Sequence, residues 1–137
     1  MTKRFLLLLS ACLLLAACQT PSIPSLSERS KDNKLRDTLN SYEVAIRWGA
    51  VDRAYGFLTP ELSEQTEIPT GLGNFRVTGY DRIDGPRELP EDRATQTVVI
   101  EYVEKDRQVV HTLTDRQIWQ WKDEEGVWLR ANPIPSF

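Results

Sequence analysis

The residues able to do chemistry are few. Among 137 residues there is one histidine, His111, and two cysteines, Cys12 and Cys18. His111 falls inside an alternating apolar segment, and Asp115 follows four positions later, so an extended strand places both on one face. An imidazole or carboxylate beside a phenol can act as a general base with an oxyanion stabiliser. Tyr42, Tyr55 and Tyr102 are candidates for the second role. A lone histidine on a half-buried strand is ordinarily a packing or surface residue, and tyrosines at helical spacing are ordinarily core. The catalytic reading is therefore the weaker one.

Metal and nucleotide chemistry have less support still. One histidine and no paired ligand spacing leave zinc and copper without a donor set. Glu61, Glu64, Glu67 and the run Asp123-Glu124-Glu125 are too spread for a calcium cage and read as solvated faces. Gly71-Leu72-Gly73 lacks both the third glycine of a dinucleotide loop and the Lys-Ser/Thr of a phosphate loop, so it reads as a turn. The net charge is −3, with no cluster of Lys and Arg, which argues against nucleic acid. No metal and no dissociable cofactor are expected.

The amino terminus carries an export pattern. Lys3 and Arg4 precede an apolar run from Phe5 to Leu15, then Ala16-Ala17-Cys18. As a helix that run would rise roughly 16 Å against a hydrocarbon core of about 30 Å, too short to span comfortably. Leu15-Ala16-Ala17-Cys18 resembles the lipobox of bacterial lipoproteins. The resemblance implies that residues 1–17 are a cleaved signal peptide, that Cys18 carries a covalent diacylglycerol, and that the new amino group is acylated. Gln19, in place of an aspartate, implies sorting to the periplasmic side of the outer membrane. Cys12 would leave with the signal, so no intramolecular disulfide is expected. Three acyl chains exceed the two that already give stable anchoring. Residues 18–30 then form a lipidated cysteine and a tether, rich in Pro and Ser and too poor in apolar residues to order itself.

The elements that must position any site begin at Lys31. Leu35, Leu39, Tyr42, Ile46 and Gly49 fall on one helical face, with Ser30 or Asp32 as N-cap and Gly49 as the stop. Val44 and Trp48 lie on the opposite side, so the helix is either covered twice or exposes a tryptophan. Asp52 is placed to cap a second short helix through Ala54, Tyr55 and Leu58, and Thr59-Pro60 starts a third turn. From Phe75 the period changes to two. Strands are expected at 75–83, 94–104, 108–122 and 127–131, with 85–92 as a Pro-containing loop. In the third strand the odd residues Val109, Leu113, Trp119 and Trp121 are apolar, but so are the even Val110 and Ile118, which predicts a bulge or bend near Thr114 to Gln117. Helices first and strands afterwards imply an α+β domain, with helices packed on a curved antiparallel sheet of about four strands.

This pattern resembles the NTF2-like superfamily, the cone-shaped fold shared with ketosteroid isomerase. The resemblance rests on Trp48-Gly49, on the segment from Val51 to Leu62, and on Trp119-Gln120-Trp121 followed by an acidic turn and Gly126-Val127-Trp128-Leu129. It covers residues 31–137. It implies a cavity in which His111 or Asp115 would be the base and a tyrosine such as Tyr102 the oxyanion partner, as in an isomerase or dehydratase. The reading preferred from the residues is non-catalytic: a lipid-anchored envelope protein that binds a partner protein or a small apolar ligand. Strand 94–104 supplies its reason, since Val98, Ile100 and Tyr102 line one face and Thr97, Val99 and Val103 the other. Helices can cover only one of them. Trp48, Val99, Val103, Trp119 and Trp121 are the expected surface for a second copy of the chain or an envelope partner. The enzyme and binding readings separate on whether His111 and a tyrosine point into one enclosed cavity.

Overall fold

The structure, a computed structural model, describes residues 25–137. The signal segment, Cys18 and the first part of the tether lie outside the described residues. Helix α1 spans Leu26–Trp48. It starts five residues before the expected Lys31, because the tether ends in a capping box. Ser25 Oγ accepts from the Glu28 amide at 3.1 Å, and the Ser25 amide donates to Glu28 Oε2 at 2.6 Å. Two exposed acid-to-base pairs one turn apart, Asp32 with Arg36 and Glu43 with Arg47, run in the orientation that favours a helix. Leu35, Leu39, Tyr42 and Ile46 form its buried stripe. Burial of such side chains contributes about 1.5 to 3 kcal/mol each. Gly49 stops the helix, and the reason is close approach: a Cβ there would sit 2.6 Å from the Ala45 carbonyl oxygen.

A 3-10 segment, Val51–Phe57, follows. Its N-cap is Ala50 and not the expected Asp52, whose side chain makes no cap bond. Helix α2, Pro60–Gln65, begins as its sequence requires, with Thr59 accepting from the Leu62 amide and Pro60 in the first turn. A second 3-10 turn, Leu72–Asn74, leads into the sheet.

Four strands follow: β1 Phe75–Leu89, β2 Arg93–Glu104, β3 Val110–Lys122 and β4 Val127–Arg130. They pair antiparallel in chain order as an open sheet. Helix α1 packs against β1 and β4. The domain is thus α+β, a long helix on one face of a four-stranded antiparallel sheet. The edge of β4 is closed at one end, where Leu58 bridges Arg130 and the Thr59 amide donates to the Arg130 carbonyl at 2.9 Å.

Two expectations about the strands are corrected. Residues 85–89 are not loop but the end of β1, paired through Leu89 with Arg93. Register shifts on either side of Asp84 leave Gly85 and Pro86 out of the ladder, and an edge strand tolerates a proline there. Strand β3 has no bulge: its register with β2 runs unbroken from Val110 to Gln120. The odd residues of β3 face α1 throughout, and Val110 and Ile118 are simply exposed on the other side. The apparent change of phase arose because the inward positions 115 and 117 are polar.

Candidate functional site

Alternation along β3 and β4 determines what meets beneath α1. Asp115, Gln117, Trp119 and Trp121 point inward from β3, and Trp128 and Arg130 point inward from β4. Arg130 is wholly buried, and a guanidinium cannot be left there unpaired. It forks onto Asp115, Nη2 to Oδ1 at 2.6 Å and Nη1 to Oδ2 at 2.8 Å. Its remaining donors reach the carbonyls of Asn132 and Pro133 and the Tyr42 hydroxyl of α1. Gln117 extends the network, donating to Asp115 Oδ2 at 2.9 Å and to the Tyr80 hydroxyl at 3.0 Å. Its own Oε1 accepts from Trp119 Nε1 and from Gln96 Nε2. One atom is left over, Gln96 Oε1, which is buried without a partner.

The electrostatics follow from this burial. Desolvation pushes the Tyr42 phenol well above its ordinary value and the Tyr80 phenol up to about 12. Desolvation works against the Arg130 charge, but the hydrogen bonds it donates to Asp115, together with the charges of Asp115 and the neighbouring phenol groups, outweigh it, and the guanidinium is held more firmly protonated than usual. Both phenols are therefore neutral at physiological pH, and Asp115 is committed to Arg130. The arrangement joins α1, β1, β2, β3 and β4 through one polar cluster.

His111 is at the other end of the same face. It stacks on Tyr102, with ring centroids 5.1 Å apart, and its Nε2 lies 3.0 Å from Glu104 Oε1. Phe75 and Phe137 pack on Tyr102 from its other sides. Four residues of strand separate His111 from Asp115, roughly 13 Å at about 3.3 Å each. The structure therefore groups His111 with Tyr102, and Asp115 with Tyr42 and Tyr80. Neither His111 nor Asp115 lines the clefts beside α1. Tyr55 packs at the margin of the core.

The residues expected on a partner surface divide. Trp119 is fully buried and packs edge-on against Tyr42 and Phe57. Trp121 is 8% exposed, with Lys31 and Lys34 of α1 over its ring and its Nε1 bonded to Asp123. Trp128 Nε1 donates to the Lys31 carbonyl at 3.1 Å. Trp121 and Trp128 are thus the seat of α1, and Trp119 is core. Val103 is also buried, at 7%. These three corrections leave Trp48, 76% exposed, and Val99, half-buried on the outer face, as surface residues. That outer face carries Thr95, Thr97 and Val99 on β2, opposite Ile118, Arg116 and Thr114 on β3. Val110 and Ile118 on it are 64% and 38% exposed.

The buried cluster was missed in the sequence, although a signal existed. Arg130 shares parity with Trp128, and an arginine on the core face of a strand demands an acid on a facing strand. Asp115 shares parity with Trp119 and is that acid. Among the described residues, no three His, Cys, Asp or Glu side chains gather to hold a metal ion. Among the same residues, no helix is long and apolar enough to cross a membrane. Compared with protein-family models, with curated proteins and with solved structures, the chain matches none of them.

Proposed function

We propose that this chain is a lipid-anchored protein of the cell envelope, held at the periplasmic side of the outer membrane through Cys18, whose NTF2-like domain is non-catalytic and binds a partner protein. One observation carries the binding reading. The outer face of the β2 and β3 pair is a strip rich in threonine and β-branched side chains whose even-numbered β3 residues from Val110 to Ile118 are exposed, while the inner face is covered by α1, Phe57, Phe75 and Phe137. Its charged margin is balanced, with Arg76, Arg87 and Arg116 against Asp81, Asp84 and Glu101, which suits a protein surface better than a polyanion. The non-catalytic reading is supported by Asp115, which is closed by Arg130 and has no open side toward a substrate.

The test is site-specific photocrosslinking in intact envelopes from Thr97 and Thr114, with the exposed α2 position Glu64 as control. A discrete adduct from the two sheet positions and none from Glu64 is expected. Light scattering of the purified protein then decides whether the partner is a second copy. Equal labelling from all three positions would remove the reading. Metabolic palmitate labelling abolished by Cys18→Ala is expected for the anchor, and labelling that persists in that variant overturns it.

A further inference from the structure

The carboxyl end of α1 lies about 34 Å from its amino end, at about 1.5 Å per residue over 23 residues. There the last turn of the helix and the first residues of β1 enclose a cleft of about 470 Å³. Three cations line it, Arg47, Arg76 and Lys105, and no carboxylate does. This is unusual in a chain of net charge −3. Their charges are poorly matched by neighbours. Glu43 is shared between Arg47, at 3.1 Å, and Arg82, at 2.7 Å. Lys105 donates to the neutral Gly73 carbonyl at 2.7 Å, and among the described residues neither Lys105 nor Arg76 meets an acid.

Apart from Thr78, the rest of the lining is apolar or glycine. Ile46 closes the floor, Phe75 is half-buried, and Trp48 stands 76% exposed at the rim with the Arg47 guanidinium 5.2 Å from its ring centre. The negative end of the helix dipole, about half a charge, points to the same place. That dipole accounts for Arg47 but not for Arg76, which comes from β1, or Lys105, in the turn after β2. A volume of this size is in the range of small-molecule sites, roughly 300 to 1,000 Å³.

We propose that this cleft binds a small amphiphilic anion, its charged group between Arg76 and Lys105 and its apolar body on Trp48 and Phe75. The site is at the amino end of β1 and shares only Arg76 with the outer sheet face. Its probe is 1-naphthoate, titrated by calorimetry into the full chain held in a maltoside micelle, with neutral 1-naphthalenemethanol and inorganic phosphate as the separating arms. Naphthoate is expected to bind saturably and about tenfold tighter than either arm. Arg76→Gln combined with Lys105→Gln should weaken naphthoate about tenfold and leave the alcohol unchanged. Trp48→Phe should keep the affinity and abolish the ligand-induced change in tryptophan fluorescence. All three side chains are exposed or at the rim, so unchanged melting temperatures establish that the variants fold. Absent or unsaturable naphthoate binding, equal binding of the alcohol, or an unaltered affinity in the Arg76/Lys105 variant would each overturn the proposal.

Discussion

The two faces of the same sheet solve opposite problems with similar residues. On the inner face, β3 presents Asp115 and Gln117 beneath a helix, and among the described residues Gln96 Oε1 is the fully buried side-chain atom left without a partner. On the outer face, β3 presents Thr112, Thr114 and Arg116 to solvent. The strongly perturbed phenols are therefore not groups available for binding. Perturbed ionisation often marks a functional site, but structural networks perturb it too. In this chain the large upward shifts of Tyr42 and Tyr80 belong to the latch that ties α1 to β3 and β4.

The comparison breaks most severely at the latch. Asp115→Ala leaves Arg130 buried without its counter-ion and should cost about 4 kcal/mol of unfolding free energy in urea denaturation. Replacing both partners, Asp115→Leu with Arg130→Met, should recover most of that loss, because two buried charges and their desolvation are removed together. A single mutant within 1 kcal/mol of the parent, by the order of magnitude of surface substitutions, would show that the inner face is hydrated.

Base should open the same face, and the sign follows from the raised phenols. Below the ordinary tyrosine value of about 10 both states are protonated, and the contribution is complete. Above it the unfolded chain releases protons that the folded chain retains, so stability falls from about pH 10 until Tyr80 itself ionises near 12. Tyr80 alone accounts for about 3 kcal/mol across that interval, at roughly 1.4 kcal/mol per unit. Tyrosinate absorbance should show Tyr42 and Tyr80 ionising only as the fold is lost, and their smooth early titration would mean that water reaches them.

Gln96→Met is the next smaller effect and has the opposite sign. It removes the unpartnered buried side-chain acceptor found among the described residues and a long 3.3 Å bond, while Gln117 Oε1 keeps its bond from Trp119. A gain of about 1 kcal/mol is expected from thermal denaturation. A loss of similar size would mean that Gln96 is satisfied by water.

Much of the fold was legible because it is written in periodicity. The stripe Leu35, Leu39, Tyr42, Ile46, the Thr59-Pro60 start and the four strands follow from spacings of 3.6 and 2. The misplaced bulge has a physical cause, because periodicity equates inward with apolar. Asp115 and Gln117 are inward and polar, so β3 seemed to slip. Trp119 and Trp121 were open to a surface role because nothing in a single strand reveals that Lys31 and Lys34 of α1 lie over Trp121. The cleft at Trp48 needed Arg76 and Lys105 brought together from segments 29 residues apart. The exposure of Trp48 itself was readable, since it falls opposite the buried stripe of its own helix.

Ile118 and Trp119 are neighbours on β3 and give the finest form of the comparison. Trp119 is wholly enclosed, whereas Ile118 is 38% exposed and opposite Thr95 on the outer face. Ile118→Lys keeps the strand's backbone pairing, and its long side chain can lie along the sheet with the ammonium in water. Its effect on unfolding free energy should stay within about 0.5 kcal/mol. Yet a lysine at this end of the strip places an added charge where a partner must desolvate it, and that cost falls only on the complex. The expected result is a normal denaturation curve with loss of the adduct from Thr114. If the adduct survives at full yield, the outer face is not the contact surface, and the similar chemistry of the two faces reflects strand propensity alone.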